Sequence, residues 1–78
     1  MQADEVKKLI TDKLDQVEVE VETDGYQYQV RAIGDVFEGL NAVKRQQLIY
    51  GCLNQYIIDG TIHAVTIKTF TPAEWQAQ

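Results

Sequence analysis

Apolar residues recur at helical spacing near the start of the chain. They lie three or four positions apart, at Val6, Leu9, Ile10 and Leu14. Acidic residues stand just before them, where the positive end of a helix dipole favours negative charge. This pattern predicts a helix from about residue 3 to residue 15.

The next segment alternates strictly between valine and glutamate. Three valines fall on one face of an extended chain and three glutamates on the other: Val17, Val19 and Val21 against Glu18, Glu20 and Glu22. A period of two residues is typical of a β-strand with one buried face. We therefore predict a strand whose valines point into the core.

The dipeptide Asp24-Gly25 follows this strand and predicts a tight hairpin. It is typical of a type I′ turn, in which both central residues need positive φ. With these two residues as the loop, Val21 of the first strand lies opposite Tyr28 of the second. Every valine of the first strand then has an apolar partner.

A Gly-containing loop leads into a second segment with helical periodicity, which runs to about Gly60. Its apolar residues form one stripe: Val43, Ile49, Tyr50, Leu53, Tyr56 and Ile57. Asn41 is suited to cap the start of this segment and Gly60 to end it. Gly51 lowers helix propensity inside it, which leaves open whether it forms one helix or two.

The β-branched run over residues 61–70 predicts a third strand. Thr71 and Pro72 then predict the N-cap and first residue of a short terminal helix, with Glu74 in its first turn. Because a helix connects the second and third strands, these strands should be parallel. The pattern predicts one α+β domain over residues 1–78, with the order α-β-β-α-β-α, a three-stranded mixed sheet and helices on one face.

Composition places the chain among soluble globular domains. Its 78 residues suffice for one core, and 45% apolar with 24% charged residues are too patterned for a disordered chain. No apolar stretch approaches the roughly 20 residues that cross a bilayer, and the N-terminus lacks a signal-peptide pattern. The single cysteine, Cys52, cannot form an internal disulfide. We expect a cytoplasmic protein without membrane contact that is a monomer or weak homodimer when alone.

Acidic residues outnumber basic ones by 12 to 7, which gives a net charge of −5. Proteins that bind nucleic acids by neutralising phosphates usually carry the opposite balance, so the charge disfavours this function. Lys44, Arg45 and Lys68 are the best candidates for contact with a phosphate or an acidic partner. The alternative interpretation is that Lys44 and Arg45 are solvent-exposed helix residues that bind no partner.

The sequence does not predict an enzyme. It has no Ser/His/Asp constellation, no cysteine placed beside a base, no phosphate-binding glycine loop and no cluster of spaced metal ligands. Cys52 lies on the apolar helix stripe, where a small core residue is the simpler interpretation and a thiolate ligand the alternative.

His63 is the only histidine in the chain, and it precedes an apolar β-branched run. It shares strand parity with Val65 and Ile67, which favours a partly buried core residue. Alternatively, a residue at the start of a strand can hold its ring against the sheet while the tip reaches solvent and a metal. The pattern alone leaves both interpretations open.

Two segments carry a resemblance to a known family. They are "FEGLNAVKRQQLIY", residues 37–50, and "IHAVTIKTFTPAEW", residues 62–75. From about residue 5 to residue 75 the chain resembles the BolA family, especially its bacterial IbaG subgroup. The resemblance implies a class II KH-like fold and partnership with a monothiol glutaredoxin, with which a glutathione-ligated 2Fe-2S cluster is shared. It also implies links to acid stress and, for some members, DNA-binding regulation.

The resemblance assigns His63 as a ligand of cluster iron, since it matches the family's histidine before the third strand. The family often has a second ligand, His or Cys, between the first two strands, but residues 22–30 contain neither. In the second helical segment, Gln46 and Gln47 follow Lys44 and Arg45, where the family frequently has a basic-His-Arg pattern.

Two hypotheses follow. One is an adaptor for a monothiol glutaredoxin in iron-sulfur trafficking, iron homeostasis or acid stress, with no cluster expected on the isolated chain. The alternative is a DNA-binding transcriptional regulator using the helix-turn region at residues 39–45.

Overall fold

Three α-helices and three strands follow one another in the predicted order α-β-β-α-β-α. The computed structural model describes residues 1–78. The elements are α1 (Ala3–Lys13), β1 (Val17–Thr23), β2 (Gln27–Gly34), α2 (Ala42–Ile58), β3 (Ala64–Phe70) and α3 (Pro72–Gln76), with a short 3-10 helix at Asp35–Phe37 between β2 and α2. No helix has the length and apolar character needed to cross a membrane.

The sheet has the strand order β1-β2-β3 and is mixed, as predicted. β1 is antiparallel to β2, and β2 is parallel to β3 because α2 crosses over between them. Helices α1 and α2 pack on one face of this sheet. One cluster of buried residues fills the space between them: Val6, Ile10, Val19, Tyr28, Val30, Ala32, Phe37, Ile49, Cys52, Leu53, Ile62 and Ile67. The predicted α+β fold class is confirmed.

The predicted type I′ turn between β1 and β2 is wrong. Val21 lies opposite Val30 instead of Tyr28, so the register is displaced by two residues. The reason lies in Asp24, whose Oδ1 accepts the backbone N–H groups of Tyr26 and Gln27, both at 2.9 Å. This side-chain turn needs a longer loop than type I′. Because the displacement is even, the valines still face the core.

Helix α2 is continuous, so the interior glycine Gly51 does not divide it. A Cβ added at Gly51 would meet no atom within 4 Å, because this side of the helix faces solvent. The predicted ends are confirmed. Asn41 Oδ1 accepts the backbone N–H of Lys44 at 2.9 Å, and Gly60, with φ of 83°, follows the last turn.

Helix α3 begins as predicted, with Thr71 as its N-cap and Pro72 in its first turn. Thr71 Oγ1 accepts the backbone N–H of Glu74, and the Glu74 carboxylate accepts the backbone N–H of Thr71. This reciprocal pair satisfies backbone donors that the helix leaves free. The next residue, Trp75, reaches the open face of the sheet, where its ring centroid lies 4.4 Å from the Arg31 guanidinium carbon.

Candidate functional site

His63 lies at the end of a short connection from α2 to β3. Two hydrogen bonds fix the backbone of this connection. Asp59 Oδ1 accepts the backbone N–H of Thr61 at 2.9 Å, and the backbone N–H of Ile62 donates to the carbonyl of Tyr56 at 2.9 Å. The Ile62 side chain is buried, whereas His63 is exposed. Because β3 begins only at Ala64, the strand parity that favoured a buried histidine does not apply to it.

The ring of His63 stacks on Tyr26 of the β1–β2 loop. The two ring centroids are 5.3 Å apart and the ring planes differ by 11°. The pairing of Gln27 with Ala64 brings this loop beside the start of β3. Asp24 fixes the backbone of Tyr26, and the hydrogen bonds that it accepts lower the pKa of its carboxyl. The imidazole thus packs against the Tyr26 ring while His63 remains exposed to solvent.

Sequence reasoning missed this contact between Tyr26 and His63. The two residues are far apart along the chain, and the parallel register of β2 with β3 brings them together. The available signal was the position of an aromatic residue within the loop from which the resembled family supplies a second ligand.

The chain offers one nitrogen donor here and not a complete metal site. No group of three or more His, Cys, Asp or Glu side chains is placed to hold a metal ion. Cys52 is buried among core residues, its thiol donates to the carbonyl of Leu48 at 3.4 Å, and burial raises the pKa of that thiol. It is therefore a core residue and not a ligand. His63 fits a metal centre only if a partner supplies the other ligands.

The predicted contact residues do not form one patch. Lys44 lies on α2, which packs on one face of the sheet. Lys68 lies on the other, open face, where it pairs with Arg31 in the register of β2 with β3. Both lysines are exposed and neither forms an ion pair. Arg31 pairs with Glu20 at 2.7 Å.

Arg45 is already bound within the protein. Its guanidinium donates to both carboxylate oxygens of Glu74, at 2.7 and 3.3 Å, and its Nε donates to the carbonyl of Leu40 at 2.9 Å. Its side chain is only 14% exposed. Hydrogen bonds from Arg45, the largest cause, and from the backbone N–H of Thr71 lower the pKa of Glu74 to about 2. Arg45 thus joins α2 to α3, a role that sequence reasoning missed.

Comparison with known proteins identifies the class to which this fold and its lone histidine belong. The family described as BolA-like protein matches residues 10–74, so the chain belongs to the BolA family. Within it, the chain is 47% identical over 75 residues to the acid stress protein IbaG of Escherichia coli K12, which covers 96% of this chain and 89% of that protein. The resemblance to the family, and to IbaG within it, is confirmed.

Solved structures agree with this assignment. A BolA homologue from Coxiella burnetii superposes with a TM-score of 0.84 at 30% identity and covers 97% of each chain. The BolA domain of SufE1 from Arabidopsis thaliana superposes with a TM-score of 0.80 at 31% identity, covering 92% of this chain and 93% of that one. The α-β-β-α-β-α arrangement is therefore the arrangement of the family.

Proposed function

We propose that this protein is a BolA-type adaptor that binds a monothiol glutaredoxin and donates His63 to a 2Fe-2S cluster shared between the two proteins. The observation that carries the proposal is the exposure of His63. The only imidazole of the chain is exposed and stacks on Tyr26, and no group of three or more His, Cys, Asp or Glu side chains is placed to hold a metal within the chain. Such a donor has a function when a second protein brings the rest of the centre.

The chemistry of the donor set supports a shared cluster over a resident metal. A neutral imidazole binds cluster iron well, and replacing a thiolate with histidine raises the potential of a 2Fe-2S centre. The family resemblance assigns the remaining ligands to glutaredoxin and glutathione. Residues 22–30 contain no His or Cys, so His63 is the one donor that we assign to this chain.

The physiological setting that we propose is iron-sulfur trafficking or iron homeostasis, with a connection to acid stress. The acid-stress part is supported by the name of the E. coli relative IbaG. The protein acts in this proposal by binding and handing over a cluster and not by catalysis.

The observations support DNA regulation less well. In the helix-turn region, Arg45 is bound to Glu74 and Leu40, which leaves Lys44 as the free cation. Lys68 projects from a different face of the molecule, beside strand residues that include Glu20 and Glu22. A duplex would thus meet few of these candidate cations on one surface of a protein with a net charge of −5.

The experiment is to mix the apo protein with a cluster-bridged monothiol glutaredoxin homodimer and record native mass spectra. We expect a heterodimer that carries one 2Fe-2S cluster and glutathione, formed as the glutaredoxin homodimer disappears. A matched mixture with apo glutaredoxin tests whether the cluster is needed for tight association. Failure to form any cluster-bearing heterocomplex would overturn the proposed function.

A further inference from the structure

The solvent-facing side of α2 is unusually free of charge. The only charged residues of α2 are Lys44 and Arg45 in its first turn, and residues 46–58 contain none. Large apolar side chains are exposed along this side, with Val43 at 64%, Tyr50 at 40% and Ile58 at 77%. The sequence pattern was wrong to group Val43 and Tyr50 with core residues such as Ile49. Nothing within the chain covers the exposed side chains, so this helix face is available to a partner.

These exposed positions form one straight stripe. Successive residues of an α-helix are rotated by about 100°, which places six exposed residues within an arc of about 100° along α2. We call them the α2 stripe: Val43, Gln47, Tyr50, Gly51, Asn54 and Ile58. The stripe runs through the whole length of the helix, from its second residue to its last.

The α2 stripe is symmetric about the point midway between Tyr50 and Gly51. Positions equally distant from this point carry matching chemistry: Val43 and Ile58 are apolar, and Gln47 and Asn54 are amides. At the centre, a large ring stands beside a residue without a side chain. When the stripe of a second copy is rotated by 180° onto the first, apolar meets apolar, amide meets amide, and Tyr50 meets the open space at Gly51.

We propose that the α2 stripe is a self-association surface, on which two copies of this chain pack with antiparallel α2 helices about a two-fold axis. A two-fold interface needs a surface that complements itself, and the stripe has this property. The charges at the two ends of the paired helices are also complementary. The exposed, unpaired Lys44 of one copy comes to the same end as the exposed Asp59 of the other. This proposal does not depend on the proposed function.

The size of the surface sets the strength of the dimer. A single helix of 17 residues is about 25 Å long, so its face buries less than the roughly 800 Å² per partner of a stable interface. The net charge of −5 on each copy also opposes association. We therefore expect a reversible dimer with a dissociation constant of about 0.1 to 1 mM.

The test is sedimentation equilibrium of the full chain up to about 1 mM, with Val43→Glu and Ile58→Lys as variants. Antiparallel packing places Val43 against Ile58, so each variant alone sets a charge against an apolar residue and should weaken dimerisation at least about tenfold. An equimolar mixture pairs the new carboxylate with the new ammonium and should regain the wild-type affinity. Both changes suit the helix dipole, so the fold is kept.

The control is Thr66→Lys, which makes the same charge change as Ile58→Lys at an exposed position of the sheet. It should leave the dissociation constant unchanged. A wild-type protein that stays at its monomer mass of 8.9 kDa at all concentrations would overturn the proposal. So would a mixture that associates no better than the single variants. If the wild type is monomeric while Val43→Glu weakens binding to glutaredoxin, the stripe belongs to that partner and the proposal is wrong.

Discussion

At the scale of single residues, the neighbourhood of His63 depends on a turn that contains a glycine in an unusual conformation. Gly25 has φ of 97°, a region that other residues rarely adopt, and it lies next to Asp24, which fixes the backbone of Tyr26. The geometry that holds the imidazole is thus built from backbone conformation and one carboxylate. Strain at Gly25 would therefore affect both stability and the stacking of the His63 ring on Tyr26.

We predict opposite effects for the same substitution at two glycines. Gly25→Ala should lower the free energy of unfolding by about 1 to 2 kcal/mol, because a side chain at positive φ is strained. Gly51→Ala should raise it by about 0.5 to 1 kcal/mol, because it lies within a helix and its Cβ meets no atom. Urea unfolding at micromolar concentration measures both changes. An unchanged midpoint for Gly25→Ala would contradict the positive φ at this position.

At the scale of elements, the link between α2 and α3 is an ion pair with a pH dependence. Hydrogen bonds from the Arg45 guanidinium, the largest cause, and from the backbone N–H of Thr71 lower the pKa of Glu74 from its ordinary 4.5 to about 2. The unfolded chain thus binds this proton more readily than the folded one. The pair therefore stabilises the fold fully above about pH 4.5, and this contribution is lost as the pH falls toward 2.

We predict that Glu74→Gln reduces the fall in the free energy of unfolding between pH 4.5 and pH 2. The same variant should also have a lower free energy of unfolding at neutral pH. Arg45→Met should do the same to a smaller extent, since it removes the largest cause of the lowered pKa but leaves the hydrogen bond from the backbone N–H of Thr71. The double variant should add little to the change in pH dependence caused by Glu74→Gln alone, because the ion pair with Arg45 is already lost in that variant. Urea unfolding at a series of pH values measures this. A Glu74→Gln protein that keeps the wild-type pH dependence over this range would refute the assignment.

At the scale of the whole molecule, the distribution of charge decides which partners are suitable. Arg45 and Arg31 are held by Glu74 and Glu20, and the remaining candidate cations lie on different faces of the protein. We predict weak binding to duplex DNA, with a log–log salt slope of magnitude about 2 or less. Fluorescence anisotropy over a range of salt concentrations measures it. A nanomolar, sequence-specific site at physiological salt would contradict this prediction.

The order of elements and the faces of the strands could be predicted from the sequence, because the alternation of Val17 to Glu22 and the helical spacing of α1 are local patterns. The caps at Asn41 and Thr71 are local for the same reason. The hairpin register could not be predicted, because the side chain of Asp24 competes with the expected turn. Contacts such as those of Arg45 with Glu74 join residues far apart in sequence, and only the tertiary structure brings them together.

The most direct test of the central claim uses the fact that His63 is the only histidine of this chain. We would label the protein with ¹⁵N-histidine, form the cluster-bearing complex with unlabelled glutaredoxin, reduce it and record pulsed electron paramagnetic resonance. We expect a ¹⁵N coupling to the cluster in the wild-type complex, absent from a matched complex made with unlabelled protein and unchanged in Gln27→Ala, a change at a nearby exposed residue. A reduced cluster without ¹⁵N coupling in the wild-type complex would contradict the assignment of His63 as its ligand.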